Sequence, residues 1–139
     1  MSGAPDDSGD LIELSIPVRA DLVVLARLTA ATVASRAGFG VEDIEDLRLA
    51  VEELCLSLVQ NNESGRLHLT YLREDDVIQI SCAFEREADQ HSDGVSTSDD
   101  DDLSLRILDA LVDEHGRDVR DGQLCAWLRK RRARVRNDG

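Results

Sequence analysis

The fold is decided by the stretch from Val41 to Gln60, which reads VEDIEDLRLAVEELCLSLVQ. Acidic residues open the stretch, where a helix dipole favours negative charge, and the apolar residues then recur every three or four positions. At about 100° per residue, one face collects Ile44, Leu47, Val51, Leu54, Cys55 and Leu58. The other face collects Asp46, Glu53, Ser57 and Gln60. The pattern predicts a helix whose second face presents Glu53 and Ser57, one turn apart.

The residues before this helix predict a strand and a further helix. Residues 11–18 nearly alternate between apolar and polar side chains, and Pro17 is typical of a strand end or a sheet edge. Asp21 then precedes residues 22–37, whose apolar positions keep helical spacing until Gly38 breaks the pattern. The chain is therefore expected to begin with a strand that leads into two consecutive helices.

The residues after the central helix predict two hairpins separated by a loop and a third helix. Residues 67–72 and 77–82 alternate around a Glu-Asp-Asp turn, and residues 86–101 form a long polar loop. A helix is expected from Leu103 to about His115, with an apolar stripe of Leu103, Ile107, Leu108, Leu111 and Val112. The Asp121-Gly122 pair is a strong turn signal for a closing hairpin that runs to Val135.

This order of elements predicts a two-layer α/β sandwich. Strands that follow one another without helices between them pair mostly antiparallel, and three helices need one apolar sheet face to cover. We therefore expect a mixed, mostly antiparallel sheet with three helices on one face. The 139 residues suit one domain, which we place at residues 10–132, between a disordered start at 1–9 and a basic tail at 133–139.

Composition and charge limit the classes of function. No apolar stretch approaches the roughly 20 residues of a membrane span, and the acidic start does not resemble a secretory signal, so a cytoplasmic protein is expected. A net charge of −13 argues against direct binding of nucleic acid. Residues 129–136 are mostly basic, and we expect them to form a solvated strand end and tail, although they are also suited to an acidic partner.

Motifs of common enzymes and metal sites are absent from the sequence. There is no phosphate-binding glycine loop, HExxH, GxSxG or cluster of His and Cys at metal-binding spacing. The histidines are expected to be structural or solvated: His68 on a strand, His91 in the loop and His115 at a helix end. The three cysteines are widely spaced and predict reduced core thiols, with a redox-responsive transcription regulator as a lesser hypothesis: Cys55, Cys82 and Cys125.

Three segments resemble a known family. They are ARLTAATVASRAG at 26–38, DIEDLRLAVEELCLSLVQ at 43–60 and LSLRILDALVDE at 103–114. Together they resemble the anti-sigma factors and switch protein kinases of the histidine-kinase-like, or Bergerat, ATPase superfamily. The resemblance runs through almost the whole folded chain. It implies a Bergerat-type sandwich that forms a homodimer and takes part in partner switching, for example in a stress response.

The resemblance implies a nucleotide site in which several positions have changed. The family's catalytic glutamate corresponds to Glu53, but its magnesium-binding asparagine corresponds to Ser57, whose short hydroxyl is a weaker ligand. The adenine-binding Asp-x-Gly falls near Phe84-Glu85-Arg86, and a phosphate-binding glycine segment falls at Asp102-Leu103-Ser104. Four carboxylates, Asp99 to Asp102, would lie where the resemblance places the triphosphate and would repel it.

From these changes we expect ATP binding to be weak or lost, so that the protein needs no cofactor. Mg-ATP is the alternative cofactor. Other interpretations remain for both features. Glu53 is alternatively an ordinary charged residue on the solvent-facing side of an amphipathic helix. The aspartate run also suits a helix N-terminal cap and a solvated loop.

The resemblance also implies a surface that binds a protein partner. The family uses an arginine on the first helix to contact a sigma factor, and the matching residue is Arg27, with Arg19 and Arg36 as weaker candidates. A planar guanidinium suits a carboxylate partner. The alternative is that Arg27 is an ordinary exposed charge, and an Arg27→Glu variant is expected to lose capture and keep its thermal stability.

Two functions follow from the resemblance. The first is an anti-sigma factor that sequesters an RNA polymerase sigma factor and is released by an anti-sigma antagonist. The alternative is an ATP-dependent serine kinase that phosphorylates that antagonist, with Glu53 as the base.

Overall fold

The elements follow the predicted order. The computed structural model describes residues 10–59, 64–87 and 99–133, without the side chains of 99–102. The predicted N-terminal segment, most of the long loop and the end of the tail lie outside these residues. The elements are β1 (Asp10–Pro17), α1 (Ala20–Arg36), α2 (Val41–Leu58), β2 (Gly65–Glu74), β3 (Val77–Arg86), α3 (Asp99–Leu111), β4 (Glu114–Arg120) and β5 (Gln123–Arg131).

The five strands form one sheet in the order β1-β2-β3-β5-β4. Every neighbouring pair is antiparallel, so the mostly antiparallel prediction is confirmed and the sheet described here has no parallel pair. In β2 and β3 the buried and half-buried side chains alternate, because successive residues of a strand point to opposite faces. One face of the sheet therefore packs on the helices, as the sandwich prediction requires.

Tight turns connect the hairpins at the positions that the sequence predicted. Asp121 and Gly122 have φ angles of 54° and 79°, which is the left-handed pair that a two-residue turn between twisted strands needs. Asp75, at the tip of the β2–β3 hairpin, has a φ of 53°. Gly38 ends α1 with a φ of 82°, a conformation in which a side chain would be strained.

The core lies between the sheet and α1 and α2. Val33 and Val51 of the two helices are fully buried, as are Leu69 and Ile80 of the strands opposite them. Tyr71 is also buried, and its hydroxyl donates a hydrogen bond of 2.9 Å to the carbonyl oxygen of Ala26. Burial raises the pKa of this phenol well above its usual range. The core is thus continuous and contains one satisfied polar group that ties α1 to β2.

The third helix differs from its prediction. It runs from Asp99 to Leu111, so the aspartates form its first turn, where the helix dipole favours negative charge. His115 lies in β4 and not at a helix end, because the backbone N–H of Asp113 already bonds to the carbonyl of Arg129 in β5. Leu108 and Val112 are buried as expected.

The predicted stripe on α3 is also wrong at its start. Leu103 is 57% exposed, whereas Ser104, one residue later, is 8% exposed. One residue rotates a helix by about 100°, so the buried side of α3 after its first turn carries Ser104 and not Leu103. Near its start α3 therefore meets α2 through a polar side chain, whereas Leu108 is buried farther along the helix.

The basic strand end is not simply solvated. Lys130 is 8% exposed, and its ammonium group donates a 2.8 Å hydrogen bond to the carbonyl oxygen of Leu111. The same nitrogen lies 3.7 Å from Asp43 and 3.8 Å from Asp46. The expectation of a solvated segment is therefore wrong at Lys130, which joins β5 to the start of α2 and the end of α3.

None of the helices in the described part of the chain has the length and apolar character needed to cross a membrane.

Candidate functional site

The central helix α2 carries two adjacent glutamates that face different neighbours. Glu52 contacts α1, and Glu53 contacts α3. Successive residues of a helix are separated by about 100°, so the two carboxylates point to different sides of α2. The candidate site therefore has two parts, one on the Glu53 side of α2 and one on the Glu52 side.

Glu53 is bonded to the third helix. The hydroxyl of Ser104 donates a hydrogen bond of 2.5 Å to Glu53 Oε1. A hydrogen bond to an ionised oxygen is shorter and stronger than one between neutral groups. Glu53 is half-buried, in contrast to the wet position that was the alternative at this residue. Its carboxylate thus holds α3 against α2.

Ser57 is buried, so the face that it shares with Glu53 is not open to solvent at this position. The serine is 7% exposed, and its hydroxyl donates a 2.8 Å hydrogen bond to the carbonyl of Leu54. Its own carbonyl accepts a 3.2 Å hydrogen bond from Arg117 of β4. The second face of α2 is therefore covered, since α3 and β4 pack over it. We call the contacts of Glu53 and Ser57 with Ser104 and Arg117 the α2–α3 seam.

Two residues of this seam had no predicted role. Ser104 was placed only in a segment matched to a glycine motif, and Arg117 was not singled out. The signal for Ser104 is its spacing of four residues from Leu108, which is buried. No comparable signal marks Arg117, because it reaches Ser57 across 60 residues of sequence.

The other positions matched to nucleotide motifs lie in different surroundings. Phe84 is 5% exposed and belongs to the core. Glu85 points to the opposite face of the sheet, where its carboxylate lies 3.3 Å from His68. The carboxylates of Asp99 to Asp102 fall outside the described residues. Within the residues that are described, no group of three or more His, Cys, Asp or Glu side chains is placed to hold a metal ion.

Arg27 forms the other part of the site, with Glu52. Its Nη1 atom lies 2.8 Å from Glu52 Oε1, and the two side chains are 29% and 36% exposed. Arg27 Nε is buried and has no hydrogen-bond partner among the described residues. The guanidinium is therefore neither an ordinary exposed charge nor fully satisfied. It is held by one contact, whereas its fork geometry suits two.

Exposed aliphatic side chains lie on the same two helices as this ion pair. Leu49 and Leu56 lie three residues before and four residues after Glu52, which places all three on one stripe of α2. Five such side chains are between 37% and 52% exposed: Val24, Leu25, Leu28, Leu49 and Leu56. We call these five residues and the Arg27–Glu52 pair the α1–α2 surface. Single exposed leucines are ordinary, but a cluster around a charged pair indicates a contact surface.

Arg19 and Arg36 do not join Arg27. Arg19 lies at the start of α1, 3.6 Å from Asp21, and Arg36 lies in its last turn, 3.5 Å from Asp10. At a rise of about 1.5 Å per residue, each is more than 10 Å from Arg27 along the helix. One carboxylate of a partner is therefore unable to contact all three.

The cysteines divide between the core and the outer sheet face. Cys55 and Cys82 are buried, and a hydrogen bond with Cys55, together with burial, raises the pKa of the Cys82 thiol. This thiol stays protonated, which argues against redox reactivity. Cys125 is half-exposed, so its prediction as a core thiol is wrong. It lines a concavity of about 280 Å³ on the sheet face away from the helices, which includes neither Glu53 nor Arg27.

Comparison with known proteins agrees with the resemblance seen in the sequence. No family model matches the chain. The chain is 37% identical over 75 residues to the serine-protein kinase RsbW of Bacillus cereus strain B4264, covering 52% of this chain and 47% of the relative. It is 38% identical over 84 residues to the serine-protein kinase RsbW of Bacillus pumilus strain SAFR-032, covering 56% and 52%. The chain thus spans about half the length of the curated relatives it matches, and over that half it is their homologue.

Proposed function

We propose that this protein is an anti-sigma factor that acts by binding. In this proposal it sequesters an RNA polymerase sigma factor through the α1–α2 surface, and an anti-sigma antagonist releases it. The similarity to proteins named serine-protein kinase RsbW supports the partner-switching class. The observation that carries the choice of binding over catalysis is the burial of Ser57, whose hydroxyl is bonded to the carbonyl of Leu54 at the position that matches the family's magnesium ligand.

The α2–α3 seam is a poor fit for a magnesium-bound nucleotide. Ser104 occupies Glu53 Oε1 and leaves Oε2 as the oxygen that could act as a base. To serve as a magnesium ligand, Ser57 would have to leave its bond to Leu54 in a position that is 7% exposed. Magnesium demands near-ideal octahedral oxygen geometry, which a short buried hydroxyl serves badly. Weak or absent ATP binding is therefore part of the proposal, and we derive no catalytic step through Mg-ATP.

Arg27 is the residue that we assign to the partner. A guanidinium recognises a carboxylate through paired hydrogen bonds, and the aliphatic side chains around it bury apolar surface on the same partner. Arginine is enriched among interface hot spots, and the exposed leucines supply apolar area that a partner can bury. The expected partner is a sigma factor, as the resemblance implies, and it would bring a carboxylate to Arg27.

A combined binding experiment tests the proposal. Mg-ATP is titrated into the protein by calorimetry, and each purified sigma factor of the source organism is titrated separately. We expect saturable binding of one sigma factor without nucleotide, and no saturable heat at micromolar Mg-ATP. Capture that requires Mg-ATP, or no capture of any sigma factor, would contradict the proposal.

The second candidate function is the serine kinase, which is favoured by the retained Glu53 and by the name of the relatives, serine-protein kinase. Its test is transfer of phosphate from ATP to a serine of the antagonist. Glu53→Gln is the suitable variant, because an amide oxygen still accepts the hydrogen bond of Ser104 while the basic carboxylate is gone. Transfer by the wild type that is lost in this variant would establish the kinase.

A homodimer also belongs to the proposal, since the resemblance implies one. Light scattering of the purified chain, at several concentrations, measures its mass in solution. A mass of one chain at all concentrations would remove the dimer and leave the binding function to be judged on sigma capture alone.

A further inference from the structure

Arg27 already holds a carboxylate in the protein without its partner. Glu52 Oε1 lies 2.8 Å from Arg27 Nη1 in the middle of the α1–α2 surface. The contact is made through one nitrogen, and Arg27 Nε is buried without a hydrogen-bond partner in the described part of the chain. The pair is therefore close but leaves part of the guanidinium's donor capacity unused.

We infer that Glu52 is a resident competitor for the partner's carboxylate, so that capture exchanges one carboxylate for another at Arg27. This inference rests on the proposed function. The partner segment that fits is one that presents a carboxylate flanked by apolar side chains. The charge of Arg27 and the surrounding leucines together select that chemistry.

The exchange follows from the charges at the site. Two carboxylates that approach one guanidinium repel each other, and a half-buried position screens this repulsion less than open water does. The partner must therefore displace Glu52 from Arg27, or bind in its presence at a penalty. Glu52 swings to solvent when displaced, since its side chain is 36% exposed.

The exchange also gives selectivity. An acidic segment without apolar side chains offers Arg27 only what Glu52 already supplies. A partner that also covers Leu28 and Leu56 gains the burial of apolar surface, which Glu52 does not supply. Glu52 thus suppresses binding of merely acidic chains, which is specificity obtained by a competing interaction.

Removal of Glu52 is the direct test. The probe is the purified sigma factor that the wild-type chain captures, and the measurement is its dissociation constant by calorimetry. We expect Glu52→Ala to bind about threefold to tenfold more tightly, because the ion pair no longer has to be broken. Glu52→Gln, which keeps an acceptor but loses the charge, is expected to lie between Glu52→Ala and the wild type.

Glu45→Ala is the matched control. Glu45 lies on the same exposed side of α2, pairs with Arg48 at 3.0 Å, and its loss changes the net charge by the same amount. We expect a change below about twofold for this variant, as for most exposed pairs. An equal gain in both variants would overturn the inference, because it would assign the effect to net charge.

The Arg27→Gln background separates this inference from the proposed function. There Glu52→Ala is expected to have no effect on affinity, because the residue for which it competes is gone. If Arg27→Gln abolishes capture and Glu52→Ala does not tighten it, the exchange is wrong and the binding function stands. If Arg27→Gln captures as well as the wild type, or no sigma factor binds at all, both are wrong.

Discussion

Glu52 and Glu53 are adjacent in sequence, yet they lie in two regions of opposite character. Glu52 belongs to the α1–α2 surface, where the side chains around its ion pair with Arg27 are exposed. Glu53 belongs to the α2–α3 seam, where Ser104 bonds to it and Ser57 is buried beside it. The first region is open to a partner, and the second is closed by the protein itself.

The difference shows that the helix packed beside each glutamate, and not the glutamate itself, decides whether its surroundings are open to a partner. Both carboxylates accept one short contact from a helix packed beside α2. On the α1 side, the same two helices carry exposed leucines that no described element covers. On the α3 side the contact completes a buried polar cluster, which stabilises the packing of that helix.

The first prediction concerns a variant that disrupts the α1–α2 surface. We expect Leu28→Asp to weaken sigma capture by about 30-fold, because it places an unpaired carboxylate where the partner is expected to bury apolar surface. Leu28 is 50% exposed, so the free energy of unfolding is expected to change by less than about 1 kcal/mol. Calorimetry of binding and urea unfolding measure the two quantities.

Val119→Asp is the control for this prediction. Val119 is 66% exposed and lies in β4, on the sheet edge, outside the α1–α2 surface. Its substitution makes the same change in charge and leaves capture unaltered if the partner docks where we expect. A comparable loss in both variants would show that added negative charge, and not the position, weakens capture.

The second prediction concerns a variant that disrupts the α2–α3 seam. We expect Ser104→Ala to lower the free energy of unfolding by about 1–3 kcal/mol, because a half-buried carboxylate loses its donor. Sigma capture is expected to stay within about twofold, since the seam lies on the other side of α2. Ser35→Ala, at an exposed position of α1, is the control for a serine lost from a helix. A Ser104→Ala variant as stable as the control would mean that the seam does not hold α3.

The fold was largely predictable because its signals are local. Periods of 3.6 and 2 separate helices from strands, and the Asp121-Gly122 pair marks a turn that few other residues adopt. The start of α3 was not predictable in this way. Four aspartates resemble a loop by composition, whereas the helix dipole accepts them as a first turn.

The site was less predictable because its contacts are between distant residues. Helical spacing identified Glu53 and Ser57 as neighbours, but it did not reveal that α3 and β4 would cover them. The partner of Arg27 was also hidden, since Glu52 is 25 residues away in the chain. That contact changes one expectation. Arg27→Glu would place two carboxylates together, so a loss of stability is expected, and Arg27→Gln is the cleaner variant.

The third prediction concerns the core on which both regions rest. The pKa values of Tyr71 and Cys82 are raised, so the folded protein keeps protons that the unfolded chain releases near pH 10 and pH 9. Stability is therefore fully present below about pH 9 and falls as the pH rises. We expect a loss on the order of 1 to 2 kcal/mol in the free energy of unfolding between pH 8 and pH 10.

The variants Cys82→Ala and Tyr71→Phe test the cause. Each substitution removes one titrating group, so each reduces the slope of stability against pH above pH 9, whatever its effect at neutral pH. Urea unfolding at several pH values gives the slope. A slope that both variants leave unchanged would assign the alkaline loss to other groups.

The last prediction tests how far the α1–α2 surface extends along α1. Arg19 and Arg36 lie at the two ends of the helix, and each has an aspartate within 4 Å. Arg19→Ala and Arg36→Ala are expected to alter sigma capture by less than about twofold, as exposed pairs contribute little. Arg27→Gln, measured beside them, carries the same loss of one positive charge and is expected to abolish capture. If instead all three variants weaken binding equally, the partner senses the total charge of α1, and the α1–α2 surface is not a docking site centred on one guanidinium.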